Sequence, residues 1–203
     1  MTLQSLSTPG QQADSQLVLL HGWGANAADL FGLTELLTQP GLRIWSLDAP
    51  FSHPAGGDAR QWYDLNTPDW DGLEESAAQI RQWLGDLPTR SGVPLERTVL
   101  AGFSQGGAMT LECGLGLPLA GLVTWSGFWH PSLAPTEVRC HQALVCHGDQ
   151  DLVVPFAAAR EVKRQLEQRG VQTRFQPFPG GHEIPMAAIA ATRSFLNEQL
   201  ARL

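Results

Sequence analysis

The chain has 203 residues, 43% of them hydrophobic, with seven tryptophans and a formal net charge of −7. This length and composition predict one globular domain over residues 1–203 and exclude a disordered chain. The negative charge argues against nucleic acid as a partner, and no stretch approaches the ~20 apolar residues that span a bilayer, so stable membrane insertion is not expected.

Short apolar segments alternate with longer amphipathic ones along the chain. The predicted strands, in chain order, are QLVLL (16–20), LRIWSL (42–47), RTVLAGF (97–103), AGLVTW (120–125), QALVC (142–146) and TRFQPF (173–178). Several of these are nearly continuous hydrophobic runs, which is typical of strands covered on both faces of a sheet.

Helices are predicted between the strands. The first is expected to be capped by Asn26, with Asp29 in its first turn and Leu30, Leu33 and Leu37 as its apolar stripe. The others are predicted over about 72–85, directly after Ser104, from near Pro155 to Gly170, and over about 185–201. The alternation predicts an α/β fold with a mostly parallel sheet, whose reactive groups gather outside the carboxyl ends of the strands.

The cysteines and the N-terminal segment bear on the compartment. Cys113, Cys140 and Cys146 cannot all pair within the chain and show no Cys-x-x-Cys spacing, so buried free thiols in a reducing compartment are predicted. The segment MTLQSLSTPG has no basic patch followed by an apolar core. A cytoplasmic location is therefore the expectation.

The segment GFSQGG (102–107) lies where a predicted strand gives way to a predicted helix. One interpretation is a tight turn that needs glycine and merely includes a serine. The other is a nucleophile held on a strained strand-to-helix elbow. The pentapeptide Gly-x-Ser-x-Gly does not decide between them, so the choice depends on the rest of the chain.

Other predicted strands also end in glycine and a polar residue. HGWG (21–24) follows the first strand, HGDQD (147–151) the fifth and GGHE (180–183) the last. Because the carboxyl ends of parallel strands meet at one edge of a sheet, a serine, an acid and a histidine are expected to converge there. Asp149 and Asp151 compete for the place of the acid.

These residue types suit nucleophilic catalysis. A serine hydroxyl attacks well only when a base removes its proton, which His182 can do near neutral pH. An acid fixes the histidine's tautomer and stabilises the imidazolium. Backbone N–H groups of Gln105 and of the HGWG loop can bind the oxyanion. No histidine pair has helical metal-binding spacing, so neither a metal nor a cofactor is expected.

The segments LHGWG, GFSQGGAM, HGDQDLVVP and GGHEIP resemble the phospholipase/carboxylesterase family, which contains the acyl-protein thioesterases and small bacterial carboxylesterases. The resemblance covers about 16–200, and QWYDL (61–65) is similar to the family's Trp-aromatic-Asp segment near the acyl pocket. It implies the α/β-hydrolase fold, with helices on both faces of the sheet and no large cap domain.

By motif position, the resemblance also implies a role for each candidate residue. Ser104 would be the nucleophile, Asp151 the acid and His182 the base, and the N–H groups of Trp23 and Gln105 would bind the oxyanion. The segment TWSGFWHPS (124–132) is more aromatic than its counterpart in the family, so the acyl-chain preference does not carry over.

Several aromatic residues near the strand ends could either pack in the core or form an apolar wall for an acyl chain. They are Trp23, Trp62, Trp125 and Trp129, and the substrate-binding candidates are Trp62, Phe128 and Trp129. Trp45 and Trp83 are predicted core residues. Among the remaining histidines, His21 and His147 are expected to hold loops by hydrogen bonds, whereas His53, His130 and His141 are expected to be ordinary loop residues.

The sequence thus predicts a serine carboxylesterase that acts on small-molecule esters or thioesters of short to medium acyl length. An acyl-protein thioesterase or lysophospholipase acting on long chains is one alternative. A non-catalytic binding protein on the hydrolase fold is another, which an intact Ser/Asp/His set argues against. Whether the protein is a homodimer is left open.

Overall fold

The computed structural model describes residues 3–9, 13–130 and 137–201. Its strands are β1 (Ser5–Ser7), β2 (Ser15–Leu20), β3 (Leu42–Leu47), β4 (Phe51–Ser52), β5 (Arg60–Gln61), β6 (Thr98–Phe103), β7 (Gly121–Trp125), β8 (Gln142–Gly148) and β9 (Gln172–Phe178). Its α-helices are α1 (Ala27–Phe31), α2 (Thr34–Leu37), α3 (Leu73–Ser91), α4 (Gln105–Gly114), α5 (Phe156–Gln168) and α6 (Met186–Leu200).

The main sheet has seven strands in the order β1-β3-β2-β6-β7-β8-β9. All neighbours pair in parallel except β1, which runs antiparallel to β3 at one edge. The sequence predicted all six strands of the parallel part to within two residues at each end. It missed β1, whose three exposed residues carry no hydrophobic pattern, and the short β4–β5 ladder.

Buried side chains line both faces of this sheet. One cluster includes Val18, Leu100 and Leu122 and packs toward α3, α4 and α5. The other includes Leu17, Val99 and Val123 and packs toward α6 and the Leu30–Leu37 region. Alternate residues of one strand therefore point to opposite helical layers, which explains the continuous hydrophobic runs and confirms the predicted α/β-hydrolase architecture.

The first predicted helix is two short helices. Its predicted cap is confirmed: Asn26 Oδ1 accepts the N–H of Ala28 at 2.8 Å, and Asp29 Oδ2 accepts the N–H of Asn26 at 2.9 Å. The break follows Phe31, because Gly32 is a poor helix former and the hydroxyl of Thr34 donates to the Phe31 carbonyl at 2.8 Å.

The helix predicted over about 72–85 extends to Ser91 and includes Pro88 in its last turns. All three cysteines are free and buried, as predicted, and burial raises the pKa values of Cys140 and Cys146 to about 12. Within the described ranges, no helix is both long and apolar enough to cross a bilayer.

Candidate active site

Ser104 lies between β6 and α4 in a backbone conformation that residues other than glycine rarely adopt. Its φ is 53° and its ψ is −116°. The backbone is held there because Ser104 N–H donates to the Trp125 carbonyl of β7 at 2.8 Å and Ala108 N–H donates to the Ser104 carbonyl at 3.1 Å. This is the strained strand-to-helix turn that one interpretation of the sequence anticipates.

The turn requires glycine because the backbone of α4 approaches the backbones of β2 and β6 closely. A Cβ added at Gly102 would lie 2.1 Å from the Gly106 carbonyl oxygen, and one added at Gly106 would lie 2.1 Å from the Leu20 carbonyl oxygen. These carbonyl oxygens belong to the backbone, so they cannot move aside as a flexible side chain could. The start of α4 therefore rests directly on β2 and β6.

We expect Gly106→Ala to lower the free energy of unfolding by about 3 kcal/mol or more, since the new methyl group overlaps fixed backbone. Gly85→Ala is the matched control, because Gly85 lies within α3 and a Cβ there meets nothing within 4 Å. That change should stabilise the protein by about 0.5–1 kcal/mol. Urea denaturation of both variants checks the prediction, and equal effects would contradict it.

Side chains from three strand ends converge on Ser104. His182 Nε2 lies 2.9 Å from Ser104 Oγ, and His182 Nδ1 lies 2.7 Å from Asp151 Oδ2. The Phe103 ring packs against the imidazole at 4.8 Å between centroids. Ser104 and His182 are partly exposed, so a substrate can reach them. The structure thus brings together the serine, acid and histidine that the strand-end pattern singled out.

Of the two competing acids, Asp151 is the one that contacts His182. Its Oδ1 accepts the N–H groups of Val153 and Val154 at 2.9 and 2.8 Å. Burial alone would raise the pKa of Asp151, but the hydrogen bonds from His182, Val154 and Val153 lower it below its ordinary value. Asp149 is exposed, and among the described residues its Oδ1 accepts a single long hydrogen bond of 3.4 Å, from Gly180 N–H.

The two candidate oxyanion donors are Trp23, in the loop after β2, and Gln105, the first residue of α4, and hydrogen bonds anchor the side chains of both. The Gln105 side chain accepts the Trp62 N–H at 2.9 Å and donates to the Tyr63 carbonyl at 2.8 Å. The Trp23 indole donates to Gln61 Oε1 at 2.8 Å. Within the part of the chain that the structure describes, the backbone N–H groups of Trp23 and Gln105 donate to no protein acceptor.

The structure does not place Trp62 in a wall that faces substrate. Its side chain is fully buried, its indole N–H donates to the His21 carbonyl at 2.8 Å, and its ring packs against the His21 imidazole. Trp125 is also fully buried and donates to Thr192 Oγ1 at 3.1 Å. Both tryptophans therefore pack in the interior, whereas Phe128 and Trp129 are partly exposed.

The other histidines have distinct roles. His21 and His147 hold loops as predicted: His21 Nε2 accepts the Ala49 N–H at 3.1 Å, and His147 Nε2 donates to the Val154 carbonyl at 2.8 Å. His130, which the sequence suggested was an ordinary loop residue, is fully buried and forms a hydrogen bond with the Tyr63 hydroxyl at 2.8 Å. In the described segments, no group of three or more potential ligands could hold a metal.

Comparison with known proteins identifies the family of the chain. A family model described as phospholipase/carboxylesterase matches residues 1–200. The chain is 33% identical over 164 residues to acyl-protein thioesterase 1 of Neurospora crassa, an alignment that spans 70% of this chain and 66% of that protein. It is 28% identical to a probable carboxylesterase of Oryza sativa subsp. japonica, across 92% of this chain and 78% of that one.

Solved structures show the same similarity. The crystal structure of esterase PE8 superposes with a TM-score of 0.88 at 29% identity, covering 98% of this chain and all of that chain. The carboxylesterase of Bacillus cereus shares the fold alone, with a TM-score of 0.81 at 16% identity over 97% of this chain and 94% of that one.

Proposed function

The chain belongs to the phospholipase/carboxylesterase family, and on that premise we propose that it hydrolyses carboxylic esters of short to medium acyl length through Ser104. Family membership makes the protein an ester- or thioester-hydrolysing enzyme. The observation that carries the finer assignment is the continuous contact from Ser104 Oγ through His182 to Asp151, at 2.9 and 2.7 Å.

The proposed reaction is acyl transfer in two halves. His182 Nε2 takes the proton from Ser104 Oγ as the oxygen attacks the substrate carbonyl, and Asp151 stabilises the resulting imidazolium. The N–H groups of Trp23 and Gln105 bind the oxyanion. The tetrahedral intermediate collapses as His182 protonates the leaving alcohol, and water then hydrolyses the acyl-enzyme by the same steps.

Phe128 and Trp129 are the residues that we assign to the acyl side of the site. Both are partly buried and lie directly after Gly127, which packs against Gly107 in the first turn of α4. The segment between β7 and β8 has only sixteen residues, 126–141, which is too short for a cap domain. The acyl chain would therefore be covered on one side rather than enclosed.

We expect kcat/KM to rise with acyl length. Each added methylene should stabilise the transition state by less than the ~0.8 kcal/mol that its full burial would give. A wall on one side removes only part of the chain's surface from water. The measurement is kcat/KM for p-nitrophenyl esters from acetyl to palmitoyl, with best turnover expected at short to medium length. A steep rise continuing to sixteen carbons would contradict this expectation.

Such a steep rise would support a second candidate, the hydrolysis of long-chain acyl thioesters or lysophospholipids. The observation in its favour is an apolar rim beside the acid and the base. Leu152 is 95% exposed and Val153 69%, directly after Asp151, and Met186 at the start of α6 is 63% exposed. Rates on a palmitoyl thioester and on butyryl esters, compared in the same preparation, distinguish the two candidates.

A further inference from the structure

A buried polar network surrounds His130, outside the residues that would carry out the chemistry. The Tyr63 hydroxyl and His130 Nε2 lie 2.8 Å apart, and His130 Nδ1 lies 3.5 Å from Glu112 Oε2. Tyr63 and His130 are both fully buried. We refer to Tyr63, His130 and Glu112 as the His130 network.

Burial and charge fix the ionisation of Tyr63 and Glu112 in the network. Burial raises the pKa of Tyr63, so its hydroxyl keeps its proton within hydrogen-bond distance of His130 Nε2. Interaction with His130 lowers the pKa of Glu112, and the Glu112 carboxylate faces His130 Nδ1 across 3.5 Å. Arg81 of α3 donates to Glu112 Oε1 at 2.9 Å, so the positive guanidinium pairs with the negative carboxylate.

Aromatic rings fix the imidazole from the remaining sides. The Tyr63, Trp70 and Phe128 rings lie 5.3, 5.0 and 5.5 Å from it between centroids. Phe128, one of the proposed acyl-side residues, is thus in direct contact with His130. The imidazole has little freedom to move without moving Phe128.

The network contacts the nucleophile elbow through Gln105 and the far end of α4 through Glu112. The Tyr63 carbonyl accepts the Gln105 side-chain N–H at 2.8 Å, and Glu112 lies in the last turns of α4. The segment from Gly127 to His130 contacts α4 through its own first residue, since a Cβ added at Gly107 would lie 2.9 Å from Gly127 Cα. Phe128 is therefore held between a fixed backbone contact at Gly127 and a buried anchor at His130, whereas the Trp129 ring packs against the Arg169 guanidinium at 4.8 Å.

We propose that His130 is a positioning residue that fixes Phe128 as a wall of the acyl subsite, so that the His130 network determines acyl-chain selectivity. This inference rests on the proposed function. A short acetyl group need not reach the wall. An octanoyl chain gains affinity from contact with the wall only if the wall side chain stays in position. The quantity that reports on His130 is the ratio of kcat/KM for octanoyl and acetyl esters.

The experiment compares this ratio in His130→Leu, Tyr63→Phe and the wild-type protein. We expect His130→Leu to lower the octanoyl-to-acetyl ratio by about 10-fold and Tyr63→Phe, which loses one buried hydrogen bond, by about 3- to 10-fold. The change should appear mainly in KM for the octanoyl ester. His141→Leu is the matched control, because His141 is an exposed histidine outside the network, and its ratio should equal that of the wild type.

The ratio separates positioning from a loss of folded protein, since misfolding lowers both rates equally. Tyr63→Phe keeps the aromatic ring, so the octanoyl-to-acetyl ratio can be measured in this variant if His130→Leu folds poorly. Labelling of Ser104 by a small dialkyl fluorophosphate should proceed within about twofold of the wild-type rate in Tyr63→Phe. Wild-type ratios in both variants, with Ser104→Ala inactive, would overturn the positioning role alone. Turnover that persists in Ser104→Ala would overturn the proposed site and this inference with it.

Discussion

Replacing Ser104 with alanine should lower kcat by about 10⁴-fold or more while leaving the fold intact. The change removes the only atom that we propose forms the acyl-enzyme, a hydroxyl 2.9 Å from His182 Nε2. Alanine accepts a positive φ no worse than serine does, so the elbow should persist. The measurements are kcat on p-nitrophenyl butyrate and the mass of the Ser104 peptide after treatment with a fluorophosphonate probe.

Two further variants sharpen this result. His182→Ala should cost nearly as much as Ser104→Ala, and the double variant little more, because the members of such a set act as a unit. Ser126→Ala is the matched control. Ser126 is a buried serine with a φ of 50°, and its hydroxyl has no hydrogen-bond partner among the described residues, so kcat should change less than about threefold. Fluorophosphonate labelling that survives in Ser104→Ala would refute the nucleophile assignment.

Replacing Asp151 with asparagine should lower kcat by about 10³- to 10⁴-fold. Asp151 Oδ2 lies 2.7 Å from His182 Nδ1 and can accept its proton in a hydrogen bond. An amide at this position can donate instead, which favours the tautomer that carries the proton on Nε2 and cannot accept one from Ser104. The measurement is kcat across neutral pH, with thermal denaturation to show that the variant is folded.

Asp149→Asn is the control for this experiment, since it makes the same chemical change two residues away. Asp149 is exposed and receives a long hydrogen bond of 3.4 Å from Gly180 N–H, so we expect kcat of Asp149→Asn to fall by less than about tenfold. If Asp149→Asn were the more damaging change, the acid would have to be reassigned to Asp149.

The sequence by itself determined the architecture and the location of the candidate site. Continuous apolar runs such as 97–103 indicated strands covered on both faces, and the parallel order that followed placed Ser104 and His182 at one edge of the sheet. These inferences succeed because they depend on local patterns and on a general rule of chain topology. The choice of Asp151 over Asp149 needed the resemblance to a family, because both acids occupy the same loop.

Only the tertiary structure decided what the aromatic and polar residues of the loops do. Trp62 and Trp129 were equal candidates for an apolar wall in the sequence, yet Trp62 is fully buried over His21 and Trp129 is partly exposed. Tyr63, Glu112 and His130 are far apart along the chain, and no periodicity links them. A loop side chain's burial is set by elements that pack against it from distant parts of the sequence, so no local pattern can report it.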